Sequence, residues 1–116
     1  MQYLLLIYQN EAENAARADA DKAALSNEYG TFTQGIIQSG HFKGGERLHP
    51  TAMATTVRVR SGKTLTTDGP YAEAREQTAG YYLIDARDHD DACTIAARIP
   101  GARNGAIEVR PIWPHT

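Results

Sequence analysis

Apolar runs and apolar stripes alternate along the first third of the chain and predict a strand followed by helix. Residues Tyr3–Tyr8 are almost wholly apolar and too short for a capped helix, which predicts a strand that is buried on both faces. The stretch 11–39 is rich in alanine and carries an apolar stripe, which predicts one helix or two with a break near Asp19 or Ser26. Gly40 is the expected end of this helix. The stripe consists of Leu25, Tyr29, Phe32 and Ile36.

The second half of the chain predicts a hairpin, an apolar strand, a short helix and a closing strand. Alternating β-branched residues on both sides of Ser61-Gly62 predict a hairpin over 55–67. Residues 80–86 form an apolar, aromatic run typical of a strand, and Asp88 is a good helix N-cap. Residues 106–113 alternate and predict the last strand. The expected apolar face of the helix is Ala92, Ile95, Ala96 and Ile99.

The order of these elements indicates an α+β fold of the ferredoxin-like kind, β-α-β-β-α-β with an added hairpin. The irregular stretch 41–53 predicts only a short edge strand near Arg47 and Leu48. Two helices can cover one face of the sheet, whereas Tyr3–Tyr8 and Tyr81–Ile84 carry large apolar side chains on both faces. The second face therefore needs an apolar partner, and the same face of a second subunit is the simplest one. We expect a homodimer; the alternative is a monomer whose tyrosine hydroxyls reach water at the sheet rim.

Composition and charge narrow the class of protein. A chain of 116 residues with 41% apolar and 22% charged residues predicts one folded domain over 1–116. The net charge of −2 disfavours direct nucleic-acid binding. The single cysteine, Cys93, excludes an internal disulfide, and we expect it to be packed; no histidine or glycine pattern predicts a metal or a cofactor. The longest apolar run is far below the roughly 20 residues that span a bilayer, and no secretory signal pattern is visible, so we expect a cytoplasmic protein without membrane partners.

The densest group of chemically competent side chains lies within 66–77. Asp68, Glu73 and Glu76 supply three carboxylates within nine residues, beside the Gly69-Pro70 turn. A helical turn in this stretch would place the two glutamates on one face, where a cleft that raised one pKa would permit acid-base chemistry. Spacing alone favours another interpretation, in which Asp68 hydrogen-bonds the turn backbone and both glutamates are solvated.

This stretch also resembles a known family. The run Asp68-Gly69-Pro70-Tyr71-Ala72-Glu73, followed by Glu76-Gln77 and Gly80-Tyr81-Tyr82-Leu83-Ile84, is similar to the signature of the YCII-related family in its DGPF subgroup. Tyr71 stands where Phe is usual in that subgroup, Arg75 where Lys is usual and Ala79 where a second Gly is usual. Matching segments cover nearly the whole chain and include Gly40-His41-Phe42. The resemblance implies a ferredoxin-like fold assembled as a dimeric α/β barrel.

The resemblance implies less about activity, because most of the family is uncharacterised. Members of the wider family have been proposed to use a His/Asp pair in a cleft. His41 is the histidine whose surroundings match the subgroup, so the expected catalytic residues are Asp68 as base or orienter, His41 as proton-transfer partner and Glu76 as a source of local field. The expected ligand-binding residues are Gly69, Pro70, Tyr71, Glu73 and Tyr82.

Two functions fit these expectations. The first is a dimeric protein that binds a small molecule in a cleft near the Asp-Gly-Pro loop, with acid-base catalysis of the lyase or hydrolase type. The second is a non-catalytic binding or regulatory module associated with an extracytoplasmic sigma factor, as the resemblance implies for many members of the subgroup. In that case Asp68-Gly69-Pro70 is a structural staple, and Glu73 and Glu76 are contact residues.

Overall fold

The computed structural model describes residues 1–114 and arranges six strands in two antiparallel sheets beside three α-helices. The strands are β1 (Gln2–Gln9), β2 (Phe42–Arg47), β3 (Thr55–Arg60), β4 (Lys63–Asp68), β5 (Gln77–Asp85) and β6 (Ala106–Pro111). The helices are α1 (Glu11–Ala15), α2 (Asp19–Gln38) and α3 (His89–Ala97), with short 3₁₀ turns at Thr51–Met53 and Pro100–Arg103. The main sheet has the order β2-β5-β1-β6, and β3 and β4 form a separate hairpin. The predicted α+β, ferredoxin-like class is confirmed.

Local signals in the sequence set the helix boundaries. The Asp88 carboxylate accepts the Asp91 N–H at 2.8 Å and caps α3, as predicted. The first helical stretch breaks between Ala15 and Asp19, so one of the two predicted break points is correct. Gly40 follows the end of α2 with a φ of +80°, a conformation that glycine adopts without steric cost.

One face of the main sheet is closed by α2 and α3. Alternate residues of β1 and β5 point into this core, as do the predicted stripes of the two helices. The core also takes partly buried side chains from β6 and β2. Its buried members are Tyr3, Leu5, Ile7, Phe32, Ile36, Tyr82, Ile84, Ala86, Ala92, Ile95, Ala96 and Ile99.

The opposite face of the sheet carries apolar side chains, and no helix of residues 1–114 covers it. The register pairs Leu4 with Leu83 and Leu6 with Tyr81, and the same face continues on β6. We call this surface the open face; it includes Leu4, Leu6, Tyr8, Glu46, Tyr81, Leu83, Glu108 and Arg110. The molecule measures 48 × 47 × 19 Å, and its smallest dimension fits one sheet and one layer of helices.

The β3–β4 hairpin stands apart from the main sheet. Its two-residue turn has Ser61 at φ 51° and Gly62 at φ 73°, the positive values that tight hairpin turns require. At the base of the hairpin, the Gly69 N–H donates to the Ala54 carbonyl at 2.8 Å and the Thr56 hydroxyl donates to the Gly69 carbonyl at 2.9 Å. The predicted hairpin is therefore confirmed.

Four expectations need correction. The stretch 71–76 consists of bends without helix, because Asn10 binds the Arg75 carbonyl and the Gln77 side chain bonds both the Glu11 N–H and the Ala74 carbonyl. The edge strand begins earlier than predicted, at Phe42, and the last strand ends at Pro111. Cys93 is exposed, since it lies on the outer side of α3.

Within residues 1–114, no helix combines the length and apolar character that crossing a bilayer requires.

Candidate functional site

Two of the predicted catalytic residues, His41 and Glu76, lie at opposite ends of the main sheet. The Asp85 N–H, at the end of β5, donates to the His41 carbonyl at 2.8 Å. Glu76 precedes β5 at its other end, and Asp68 is exposed at the end of β4. The nine residues of β5 span roughly 27 Å. The length of β5 therefore separates His41 from Glu76, and no hydrogen bond or ion pair recorded within residues 1–114 joins Asp68 to His41.

His41 instead forms a cluster with a serine and a different aspartate. Its Nδ1 lies 2.6 Å from Ser39 Oγ, and its Nε2 lies 3.8 Å from Asp91 Oδ2. Asp91 also accepts the Arg87 N–H at 3.0 Å, and this bond, with the nearby Arg87 guanidinium and His41, holds the pKa of Asp91 below its usual value despite partial desolvation. His41 follows the C-terminus of α2, and Asp91 lies in the first turn of α3. The cluster thus links the end of α2 to the beginning of α3.

The Asp-Gly-Pro loop closes the base of the hairpin. Gly69, with a φ of +109°, bonds to the chain before β3, and Pro70 follows in an exposed bend. The Tyr71 ring is exposed and lies under the Arg58 guanidinium, 5.2 Å from the ring centroid. Glu73 is exposed and Glu76 is half-buried, and without a helix they share no helical face. The bonds of Gly69 hold the base of this loop, and the hydrogen bonds recorded within residues 1–114 include none that involves the Asp68 side chain.

Tyr82 lies in the core and away from any open surface. It is 8% exposed, and its hydroxyl lies 2.7 Å from Thr33 Oγ1 on α2. The ring packs edge to face against Phe32 and Phe42, with centroid distances of 5.3 and 6.4 Å. Gly45 completes this packing, because a Cβ there would lie 2.9 Å from the Tyr82 ring. We therefore leave Tyr82 out of the candidate site.

A hydrogen-bonded polar cluster lies on the open face. The Tyr8 hydroxyl donates to Glu108 Oε1 at 3.1 Å, and Arg110 Nη1 donates to Glu108 Oε2 at 3.1 Å. The pairing of Leu6 with Glu108 and of Leu4 with Arg110 sets these groups among apolar neighbours. We call Tyr8, Glu108 and Arg110 the open-face cluster. Sequence reasoning missed the cluster, although the alternation of 106–113 already separated Glu108 and Arg110 from the core side.

The open-face cluster has the composition of a small-molecule site. Ligand sites are largely apolar surfaces with a few polar groups that fix orientation. Both carboxylate oxygens of Glu108 are held by donors, whereas the Arg110 side chain, 65% exposed, keeps further N–H groups directed at solvent. These donors suit a carboxylate or carbonyl oxygen of a bound molecule. Among residues 1–114, no three His, Cys, Asp or Glu side chains are grouped as metal ligands would be.

Two open grooves along α2 lie elsewhere on the molecule. One has a volume of about 760 Å³ and is lined by small and polar residues of α2 alone. The other, of about 670 Å³, contains the Glu28–Arg103 ion pair, whose side chains approach to 2.7 Å. Neither groove contains His41 or any residue of 68–77. These two grooves therefore do not coincide with the predicted residues.

Comparison with known proteins finds similarity along the whole chain. The family model for the YCII-related domain matches residues 1–116. An uncharacterized protein of Rhizobium meliloti (strain 1021) is 32% identical over 114 residues, which cover 97% of this chain and 92% of that protein. The similarity therefore extends over β1, the hairpin, the loop that follows it and β6 alike.

Proposed function

The chain belongs to the YCII-related family, and on this premise we propose that it is a homodimer that binds a small, partly apolar molecule between the open faces of its two sheets. The ligand carries a carboxylate or carbonyl oxygen that Arg110 binds. The run Asp68-Gly69-Pro70-Tyr71 further supports assignment to the DGPF subgroup.

The accessible surface of one chain supports the dimer. A compact monomer of 12.7 kDa exposes about 6,200 Å², whereas this chain exposes 8190 Å². The excess is about 2,000 Å², within the roughly 1,000–2,500 Å² that each subunit of an obligate homodimer buries. Leu4, Leu6 and Leu83 are half-buried on the open face, and an identical face is the simplest apolar cover for them.

The observation that carries the ligand proposal is the open-face cluster. Between two sheets, Glu108 and Arg110 would lose water, and a charged pair is tolerated there only when its hydrogen-bonding groups are satisfied. Tyr8 and Arg110 satisfy Glu108. The remaining Arg110 donors need an acceptor, and a ligand oxygen supplies it while its apolar part rests on the leucines.

The loop 69–76 forms one rim of this cleft. Tyr8 pairs with Thr78 in the sheet, so the loop that enters β5 approaches the same end of the open face. Of the predicted catalytic residues, we retain half-buried Glu76 as the acid-base candidate at this rim. We assign Asp68 to the pair that closes the hairpin opposite Thr55, and His41 to its contact with Asp91.

Two measurements test the proposal. Light scattering during size-exclusion chromatography should find a species of twice the chain mass at micromolar concentration. Ligand-observed NMR with a panel of aromatic and aliphatic carboxylates, beginning with benzoate, should find binders, and Arg110→Ala should weaken their binding at least tenfold while leaving the circular dichroism spectrum unchanged. Lys22→Ala, which removes an exposed cation on α2, is the matched control and should bind like the wild type.

Three results would contradict the proposal. A monomer at micromolar concentration removes the cleft. Equal binding by Arg110→Ala and the wild type removes the open-face cluster as the site. A dimer that binds no member of the panel at millimolar concentration favours the non-catalytic regulatory module over ligand binding.

A further inference from the structure

The β3–β4 hairpin makes few contacts with the rest of the described chain. Its strands pair with each other from Thr55–Asp68 to Arg60–Lys63, and its contacts with neighbouring residues include the bonding of Ala54 and Thr56 to Gly69 and the approach of Arg58 to the Tyr71 ring. Every residue of 55–68 except Thr56 is exposed. An isolated two-stranded hairpin is at best marginally stable in water. The hairpin therefore needs a surface to pack against.

The two faces of the hairpin differ in chemistry. Beyond the base of the hairpin, one face carries no charged side chain, and all of its side chains there are β-branched. Val57 and Val59 on this face are 58% and 59% exposed. We call it the arm face; it consists of Thr55, Val57, Val59, Thr64 and Thr66. The other face carries Arg58, Arg60 and Lys63 beside Thr56, Leu65 and Thr67, and its three cations suit water. β-Branched side chains pack well on a pleated surface, so the arm face is the side that needs cover.

The chain's own sheet does not provide this cover. A hairpin folded over the open face would add a third layer, yet the molecule is 19 Å thick, which fits the sheet and its helices alone. The hairpin instead extends the broad dimensions of 48 and 47 Å. A second molecule must therefore contact the arm face.

The surface area that a stable dimer buries indicates that this molecule is a second copy of the chain. Four strands at about 4.8 Å spacing and about 20 Å length give the open face roughly 400 Å² in plan. This is far less than the excess surface of about 2,000 Å² estimated from the size of the chain. The hairpin, exposed along both strands, supplies a further share of the excess. A contact that also used the hairpins would bring the buried area into the range of an obligate dimer.

We propose that the hairpin is a dimerisation arm, which reaches across the twofold axis and packs its arm face against the partner subunit beside the partner's open face. This inference rests on the proposed homodimer and adds a second contact to it. The basic face of the arm remains in water. Because Gly69 ties the base of the arm to the Asp-Gly-Pro loop, the arm also fixes that loop at the rim of the cleft.

Paired substitutions on the two faces of β3 test the arm. Val57→Ser with Val59→Ser should raise the dimer dissociation constant at least tenfold, as measured by sedimentation equilibrium. Arg58→Ser with Arg60→Ser alters alternate residues of the same strand and should change the constant less than threefold. Leu6→Lys, on the open face, should abolish the dimer and provides the reference for its loss.

Photo-crosslinking keeps the inference testable even where a substitution disturbs the hairpin. A benzoylphenylalanine at position 57 should crosslink two chains, and one at position 58 should not. A monomeric wild type overturns both the arm and the proposed homodimer. A dimeric wild type, with an unchanged constant for the valine variant and no crosslink from 57, overturns the arm alone. Equal crosslinking from 57 and 58 overturns the assignment of the arm face.

Discussion

The two faces of the main sheet are built from neighbouring residues and behave differently. On the helix side, Leu5, Ile36 and Ile84 are fully buried. On the open face, Leu83 and Tyr81 alternate with the buried residues of the same strand but remain half-buried. The first face is completed within the chain, whereas the second has apolar side chains, a Tyr-Glu-Arg cluster and no covering element among the residues that the structure describes. Folding of one chain thus depends mainly on the first face, and we expect assembly and ligand binding to depend on the second.

The largest difference in stability between the two faces should appear at two adjacent residues of β5. Ile84→Ala removes a fully buried side chain and should lower the free energy of unfolding by about 2–5 kcal/mol. Leu83→Ala, at a protein concentration where the dimer has dissociated, should cost less than about 1 kcal/mol. Urea denaturation followed by circular dichroism measures both variants. Equal losses at low concentration would mean that the open face is part of the single chain's core.

Most of the fold could be predicted because its signals are local. The apolar run of β1, the Asp88 cap and the Ser61-Gly62 turn act within a few residues and gave correct elements. The helical turn expected after Pro70 was wrong, because side chains of Asn10 and Gln77 hold the loop in another shape. The bonds of Asn10 to Arg75 and of Glu11 to Gln77 join residues about 65 positions apart, which periodicity does not reveal.

The site was harder to predict, because it depends on which elements meet. Tyr81 and Tyr82 have almost the same local sequence, and only the register of β5 sends one to the open face and the other under α2. The contact of His41 with Asp91 requires the ends of α2 and α3 to meet, and the bond of Tyr8 to Glu108 joins the first strand to the last. The family resemblance led to the correct family, but it did not reveal these pairs.

The two tyrosines give a second, smaller comparison of the faces. Tyr82→Phe removes the hydroxyl that bonds Thr33 and should lower the free energy of unfolding by about 0.5–1.5 kcal/mol. Tyr81→Phe should change it by less than about 0.5 kcal/mol, because that ring lies on the open face. A double-mutant cycle with Thr33→Val isolates the bond. Additive losses for Tyr82→Phe and Thr33→Val would show that the two hydroxyls do not interact in solution.

The smallest effect concerns the Asp91 carboxylate in the first turn of α3, on the helix-covered side of the sheet. The pKa of Asp91 is lowered in the folded chain, from an ordinary value of 3.8, chiefly by the Arg87 N–H. A lowered carboxyl pKa stabilises the fold above the ordinary value, and this stabilisation is lost as the pH falls through the lower folded value. Asp91→Asn should therefore melt below the wild type at pH 7, and the difference should shrink as the pH falls below 3.8. Asp90→Asn, on the same first turn of α3, is the control and should show a smaller change with pH. The difference in melting temperature between Asp91→Asn and the wild type could instead stay constant from pH 7 to pH 3. The effect of Asp91 would then come from packing and not from the charge that it presents to Arg87 and His41.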